Sequence, residues 1–245
     1  MRARLFTIAA AIGGLITGNA AVAQTSITIG MSGWTGFAPL TLAKGAGIFE
    51  KNGVDVEIKK IPQKDRHLAI ASGDIQCAAT TVETFLIWNA NGVPIKQVVQ
   101  LDVSYGADGM AVRNEINSIA ELKGKTIAAS APGTSPYFVL AWMLRENGLK
   151  LDDVTIANLE PAAAAQAFVA GQNDAAMTYE PYLSTVRDNP EAGKIIATTL
   201  DYPVVTDAFG CTPEFIEKEP RSRAGHGQKL LRGAADDRDR SGQSF

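Results

Sequence analysis

Between residue 27 and about residue 200, short apolar runs alternate with segments whose apolar positions recur at helical spacing. The runs predict strands at 27–31, 54–60, 75–79, 95–101, 109–112, 126–129, 154–157, 174–177 and 194–197. The second of these shows the strict alternation of a half-buried strand. Helical spacing predicts helices over 39–43, 64–72 and 135–147, the last ended by Gly148. A chain in which strand and helix take turns builds parallel α/β sheets rather than a sandwich.

Two stretches repeat one small device. Residues 69–80, closed by Glu83, and residues 167–178, closed by Glu180, each read as a helix ending at glycine, a short apolar strand, and a loop carrying threonine and glutamate. Glycine takes the left-handed conformation that ends a helix without steric cost. In open parallel sheets ligands sit beyond the carboxyl ends of the strands. Two such devices predict two α/β lobes, each offering a carboxylate to a shared cleft that closes around a small solute. The polar segment 102–108 breaks the rhythm and predicts a crossing between lobes, with 204–210 as the return. The first lobe is then discontinuous, 24–103 with 204–220, and the second is 104–203.

The amino terminus changes the compartment. Arg2 and Arg4 precede a small, apolar stretch to Val22, and Ala21-Val22-Ala23 supplies a small-residue cleavage pattern, so residues 1–23 read as a secretory signal and the protein as periplasmic. The formal net charge is -3, and both ends of the chain are basic, so the middle is more acidic than the total. No basic stripe of a nucleic-acid binder is present. The two histidines, His67 and His226, do not make a metal cluster, and there is neither a Cys-x-x-Cys nor a Gly-x-Ser-x-Gly element. Gly124-Lys125-Thr126 lacks the earlier glycine of a phosphate loop, since position 119 is Ile. No cofactor or metal is expected. Cys77 and Cys211 are the only cysteines; in an oxidising compartment they form either a disulfide or two buried thiols, and the sequence leaves both open.

Residues 33–44, 47–56, 101–109, 119–128 and 179–183, in this order, resemble the landmarks of periplasmic solute-binding proteins of ABC importers, in the nitrate, sulfonate and taurine group. The resemblance runs from about residue 27 to residue 220. It implies a type II periplasmic binding fold, two α/β lobes with a ligand cleft between them. It also implies a monomer that docks on a membrane permease, with ATP hydrolysis in a separate subunit. A ligand-binding sensor would read the same way. Pyrimidine synthases of thiamine metabolism share the fold, but their cysteine-rich signature is missing. The chain departs from the family at residues 221–245, whose composition reads as disordered and as a replaced or truncated end.

Six residues stand out as ligand-binding candidates. Glu83 stands where many members carry small uncharged residues; a cleft carboxylate suits a cationic group, although it also suits the first turn of a helix. Glu180 and Asp108 are carboxylates near the strand ends, and Trp34 sits in a glycine-flanked loop where an indole face suits a cation. Thr134 and Ser135 open a helix after Gly133 and suit an anion. If both sets contact ligand, it is a zwitterion of taurine type. If only the carboxylates do, an amine, urea-like or guanidine-like solute fits. Trp88 and Trp142 are expected in the core, and Asp102 at the hinge.

Overall fold

The computed structural model describes residues 25–218; the signal and the tail from 221 lie outside the described residues. The strands are β1 (Thr25–Met31), β2 (Val54–Lys60), β3 (Cys77–Thr81), β4 (Lys96–Val103), β5 (Asp108–Val112), β6 (Thr126–Ala129), β7 (Thr155–Asn158), β8 (Ala175–Tyr179), β9 (Lys194–Thr198) and β10 (Thr206–Cys211). The helices are α1 (Ala38–Gly45), α2 (Ile48–Lys51), α3 (Gln63–Ser72), α4 (Val82–Ala90), α5 (Ser135–Glu146), α6 (Pro161–Val169), α7 (Tyr182–Arg187) and α8 (Pro213–Lys218).

They form two five-stranded sheets of matching design, β2-β1-β3-β10-β4 and β7-β6-β8-β5-β9. The expectation of purely parallel sheets is corrected, because β10 runs against β3 and β4, and β5 against β8 and β9. The cause is the crossing. A chain leaving one sheet at its cleft edge enters the other at its cleft edge, so its first strand there must run away from the cleft while the neighbouring strands run toward it. The return crossing also moves: residues predicted as linker from 206 onward form β10, and the chain crosses just before them. Three hydrogen bonds stitch the two crossings together. Ser104 N–H donates to Val205 O (3.1 Å), Gly106 N–H to Thr199 Oγ1 (2.9 Å), and the hydroxyls of Ser104 and Thr199 lie 2.9 Å apart.

Both faces of each sheet are covered, which is why the central strands β3 and β8 are made of small and apolar residues with threonine and are buried from Cys77 to Thr81 and from Ala175 to Thr178. In the first lobe Phe37, Leu40, Phe49 and Val56 pack on one face, and Ile70, Ile75, Phe85 and Trp88 on the other. In the second, Leu140, Met143 and Met177 lie opposite Ala164, Ala165 and Phe168. Trp88 is core as expected. Trp142 is not; it is half-buried, with the Arg145 guanidinium 4.4 Å above its ring. The glycines of the repeated device, Gly73 (φ 81°) and Gly171 (φ 82°), are both left-handed. Each device sends its strand to the middle of a sheet with its carboxyl end at the cleft.

The open question of the cysteines is answered by a Cys77–Cys211 disulfide. The two residues are direct partners in the β3–β10 register, so the bond ties the returning strand to the centre of the first sheet.

Candidate functional site

A cavity of about 290 Å³, counting its open mouth, lies where the two sheets face each other. The first lobe lines it with Ser32 and Trp34 after β1, Gln63 and Arg66 of α3, Thr80 at the end of β3, and Asp207 of β10. The second contributes Asp108 at the start of β5, Ser135 at the start of α5 and Tyr179 at the end of β8. Apart from the α3, α5, β5 and β10 groups, these are residues at or just beyond the carboxyl ends of parallel strands.

Carboxyls dominate the electrostatics. Asp108 and Asp207 are each 3% exposed. Burial pushes the Asp108 carboxyl up to about 7, opposed by a Ser104 hydrogen bond and reinforced by the charges of Glu83 and Asp102. Burial pushes Asp207 up to about 9, with Asp102, Asp108 and Glu83 adding to it. Asp207 faces Asp102 across the β10–β4 register, and a hydrogen bond between the two carboxyls helps Asp207 keep its proton. Trp34 Nε1–H donates to Asp102 Oδ2 at 3.4 Å. A Cβ at Gly36 would overlap both partners of that bond, which explains the glycine after Trp34.

Arg66 is the one cation in this lining. It is 1% exposed, its Nε donates to Ile61 O (2.8 Å) and its Nη1 to Ala79 O (2.8 Å), while Nη2 has no partner. Burial lowers it to about 10, which leaves it charged at neutral pH. Arg113 in the second lobe gives the contrast: its Nε, Nη1 and Nη2 all donate to backbone carbonyls of Asn173, Ala192 and Phe168. Arg113 is spent on structure, and Arg66 keeps a donor at the cavity wall.

The sequence candidates fall into two groups. Trp34, Asp108 and Ser135 come together in the cavity. Glu83 sits beside it in the first turn of α4, where burial raises its carboxyl against nearby Thr81 and Ser135 hydroxyls, and its Oε1 is buried without a partner. Glu180 and Thr134 are placed elsewhere. Glu180 accepts from the backbone N–H (3.0 Å) and hydroxyl (2.8 Å) of Ser184 and pairs with Arg187, so its carboxylate is consumed in starting α7. The Thr134 hydroxyl donates to Ala131 O at 2.7 Å and is not part of the cavity lining. Trp34 stands edge-on to Tyr179, with ring centroids 5.5 Å apart, rather than offering an open face.

Arg66, Gln63, Tyr179 and Asp207 did not stand out in the sequence. Arg66 carried a signal: it falls four residues before buried Ile70, on the inward face of α3. Asp207 carried one too, as an acid inside the apolar run 207–211.

The chain matches the model of the family described as NMT1/THI5 like over residues 34–222. The chain belongs to this family. It is 28% identical to the taurine-binding periplasmic protein of Escherichia coli over 195 residues, 76% of this chain and 59% of that protein. The chain thus spans little more than half the length of the curated relatives it matches. Its fold is that of the alkanesulfonate-binding protein of Xanthomonas axonopodis pv. citri, solved bound to MOPS (TM-score 0.74, 23% identity, covering 89% of this chain and 76% of that one). The periplasmic nitrate-binding protein of Synechocystis PCC 6803 is also similar (TM-score 0.70, 22% identity, 86% and 61% covered). The architecture is therefore the type II periplasmic binding fold, and these relatives are named for binding. Among the described residues no helix is long and apolar enough to cross a membrane, and no cluster of His, Cys, Asp or Glu has metal-binding form.

Proposed function

We propose that this chain is the periplasmic substrate-binding component of an ABC importer, capturing a small nitrogen- or sulfur-containing solute between its lobes and delivering it to a membrane permease driven by a separate ATPase subunit. The observation that carries this reading is the cavity itself, lined from both lobes by buried polar groups that lack partners: Arg66 Nη2, Asp108 Oδ2 and Ser135 Oγ. An unpartnered buried polar atom costs roughly 1–3 kcal/mol. A solute that satisfies all three at once has contacts available only when the lobes are together, and that difference in affinity drives closure. The lobes are 24–103 with 204–220, and 104–203, joined at the stitched crossings.

The test is a thermal melt of the full chain, alone and with amines, guanidine compounds, taurine, alkanesulfonates and nitrate. A ligand at 100 times its Kd adds about 2.7 kcal/mol, roughly 5–10 °C for a chain of this size. A shift with one class supports the receptor reading. A cooperative melt that no class moves contradicts it.

A further inference from the structure

The charge of the solute can be read from which groups are spent and which are free. The start of α5 is the anion site that the sequence offered, and it is closed. Ser135 N–H donates to Gln63 Oε1 at 3.2 Å, so the neutral amide of the opposite lobe occupies the position an anion would take. Thr134 Oγ1 is bonded to Ala131 O. Around this closed site four carboxyls, Glu83, Asp102, Asp108 and Asp207, act on one another, with Arg66 as the single cation lining the cavity. Even with protons held on Asp108 and Asp207, the carboxyls of Glu83 and Asp102 outnumber the single guanidinium. An anionic solute would add to it inside a site where charges are weakly screened.

We propose that the cleft takes a compact organic cation, an amine, amidine or guanidine compound, whose N–H groups are accepted by Asp108 Oδ2 and Glu83 Oε1. This rests on reading the cleft as the solute site. Both acceptor atoms are buried and lack partners, and Asp108 lines the cavity. Asp207 lines the cavity as well and, with Asp102, supplies further negative potential. Arg66 Nη2 and Ser135 Oγ, also unpartnered, meet an acceptor on the same solute and set its orientation. The metal alternative lacks a cluster of suitable form among the described residues. Arrival of the cation expels the protons that Asp108 and Asp207 hold, so affinity rises with pH; the groups facing them are Glu83, Asp102, Ser104 and Arg66.

The experiment is calorimetric titration of the full chain at pH 8 with 2-hydroxyethylguanidinium and ethanolammonium, cations that also carry an acceptor oxygen, in one arm and ethanesulfonate and nitrate in the other. At least one cation binds, and Asp108→Asn and Glu83→Gln each weaken it about tenfold or more, the worth of a hydrogen bond to a charged group. Glu180→Gln, outside the cavity, changes it less than about twofold. The wild-type affinity for the cation is also greater at pH 8 than at pH 6. Binding of the anions without the cations overturns the charge assignment and leaves the receptor reading standing. Cation binding unchanged in both cleft variants overturns the assignment to these carboxyls. Binding of neither class by a cooperatively folded chain overturns the charge assignment and the receptor reading together.

Discussion

The side-chain amide of Gln63, in the first lobe, accepts a hydrogen bond at 3.2 Å from the backbone N–H of Ser135, in the second. Its nitrogen is fixed in turn by Thr80 Oγ1 (2.8 Å) and Thr84 Oγ1 (2.9 Å) at the end of β3 and the start of α4. One residue therefore links the starts of α3 and α4 in the first lobe to the start of α5 in the second. Gln63→Ala removes this link and leaves Ser135 N–H exposed to solvent in the open form. With a neutral hydrogen bond worth about 0.5–1.5 kcal/mol, the solute found by the melt should bind roughly twofold to tenfold more weakly by calorimetry. Unchanged affinity would mean that the bond contributes nothing to closure.

Stability without solute should fall as pH rises. Asp108 (about 7) and Asp207 (about 9) both hold their protons more tightly in the folded chain than at the ordinary 3.8. Their contribution is fully present below about pH 4 and is lost as pH climbs through about 7 and then 9. The melting temperature of the solute-free chain should therefore drop by several degrees between pH 5.5 and pH 9, and Asp207→Asn should flatten the upper part of that drop. A profile that rises over this window would show that these carboxyls are ionised and well paired.

The disulfide closes a loop of 134 residues in sequence. Cross-links of this kind typically contribute about 2–4 kcal/mol, mainly by restricting the unfolded chain. Replacing both Cys77 and Cys211 with alanine should lower the melting temperature by roughly 5–15 °C. Solute affinity measured well below the melt should hold, because neither sulfur lies in the cavity lining.

Gly36→Ala should damage the site through geometry alone. The added methyl overlaps Asp102 and Trp34, and overpacking of this sort costs about 1–3 kcal/mol. The measurement is solute affinity beside a melt: loss of both is expected, and retention of both would show that the loop can shift freely.

Much of the fold was legible because its signals are local. The alternation of strand and helix, the left-handed Gly73 and Gly171, and the polar crossing before Asp108 each follow from a few consecutive residues. The antiparallel β5 and β10 were not legible, since strand direction is set by where the chain re-enters a sheet. The site divides along the same line. Trp34, Asp108 and Ser135 stand next to turns or caps and could be singled out. Glu180 and Thr134 have the same local look, and local partners use them first: Ser184 lies four residues after Glu180 and Ala131 three residues before Thr134. Arg66 and Asp207 belong to the reverse case: each is a charge on a buried face, a mismatch with the apolar pattern that marks a site only when the opposite lobe is in view.

The most direct test of a solute receptor with a carboxyl-lined cleft is a crystal structure of the protein with 2-hydroxyethylguanidinium at pH 8. The expected result is the cation between the lobes, within hydrogen-bond distance of Asp108 Oδ2 and Glu83 Oε1. A cation bound elsewhere, with the cleft holding an anion beside Arg66 and Ser135, would contradict it.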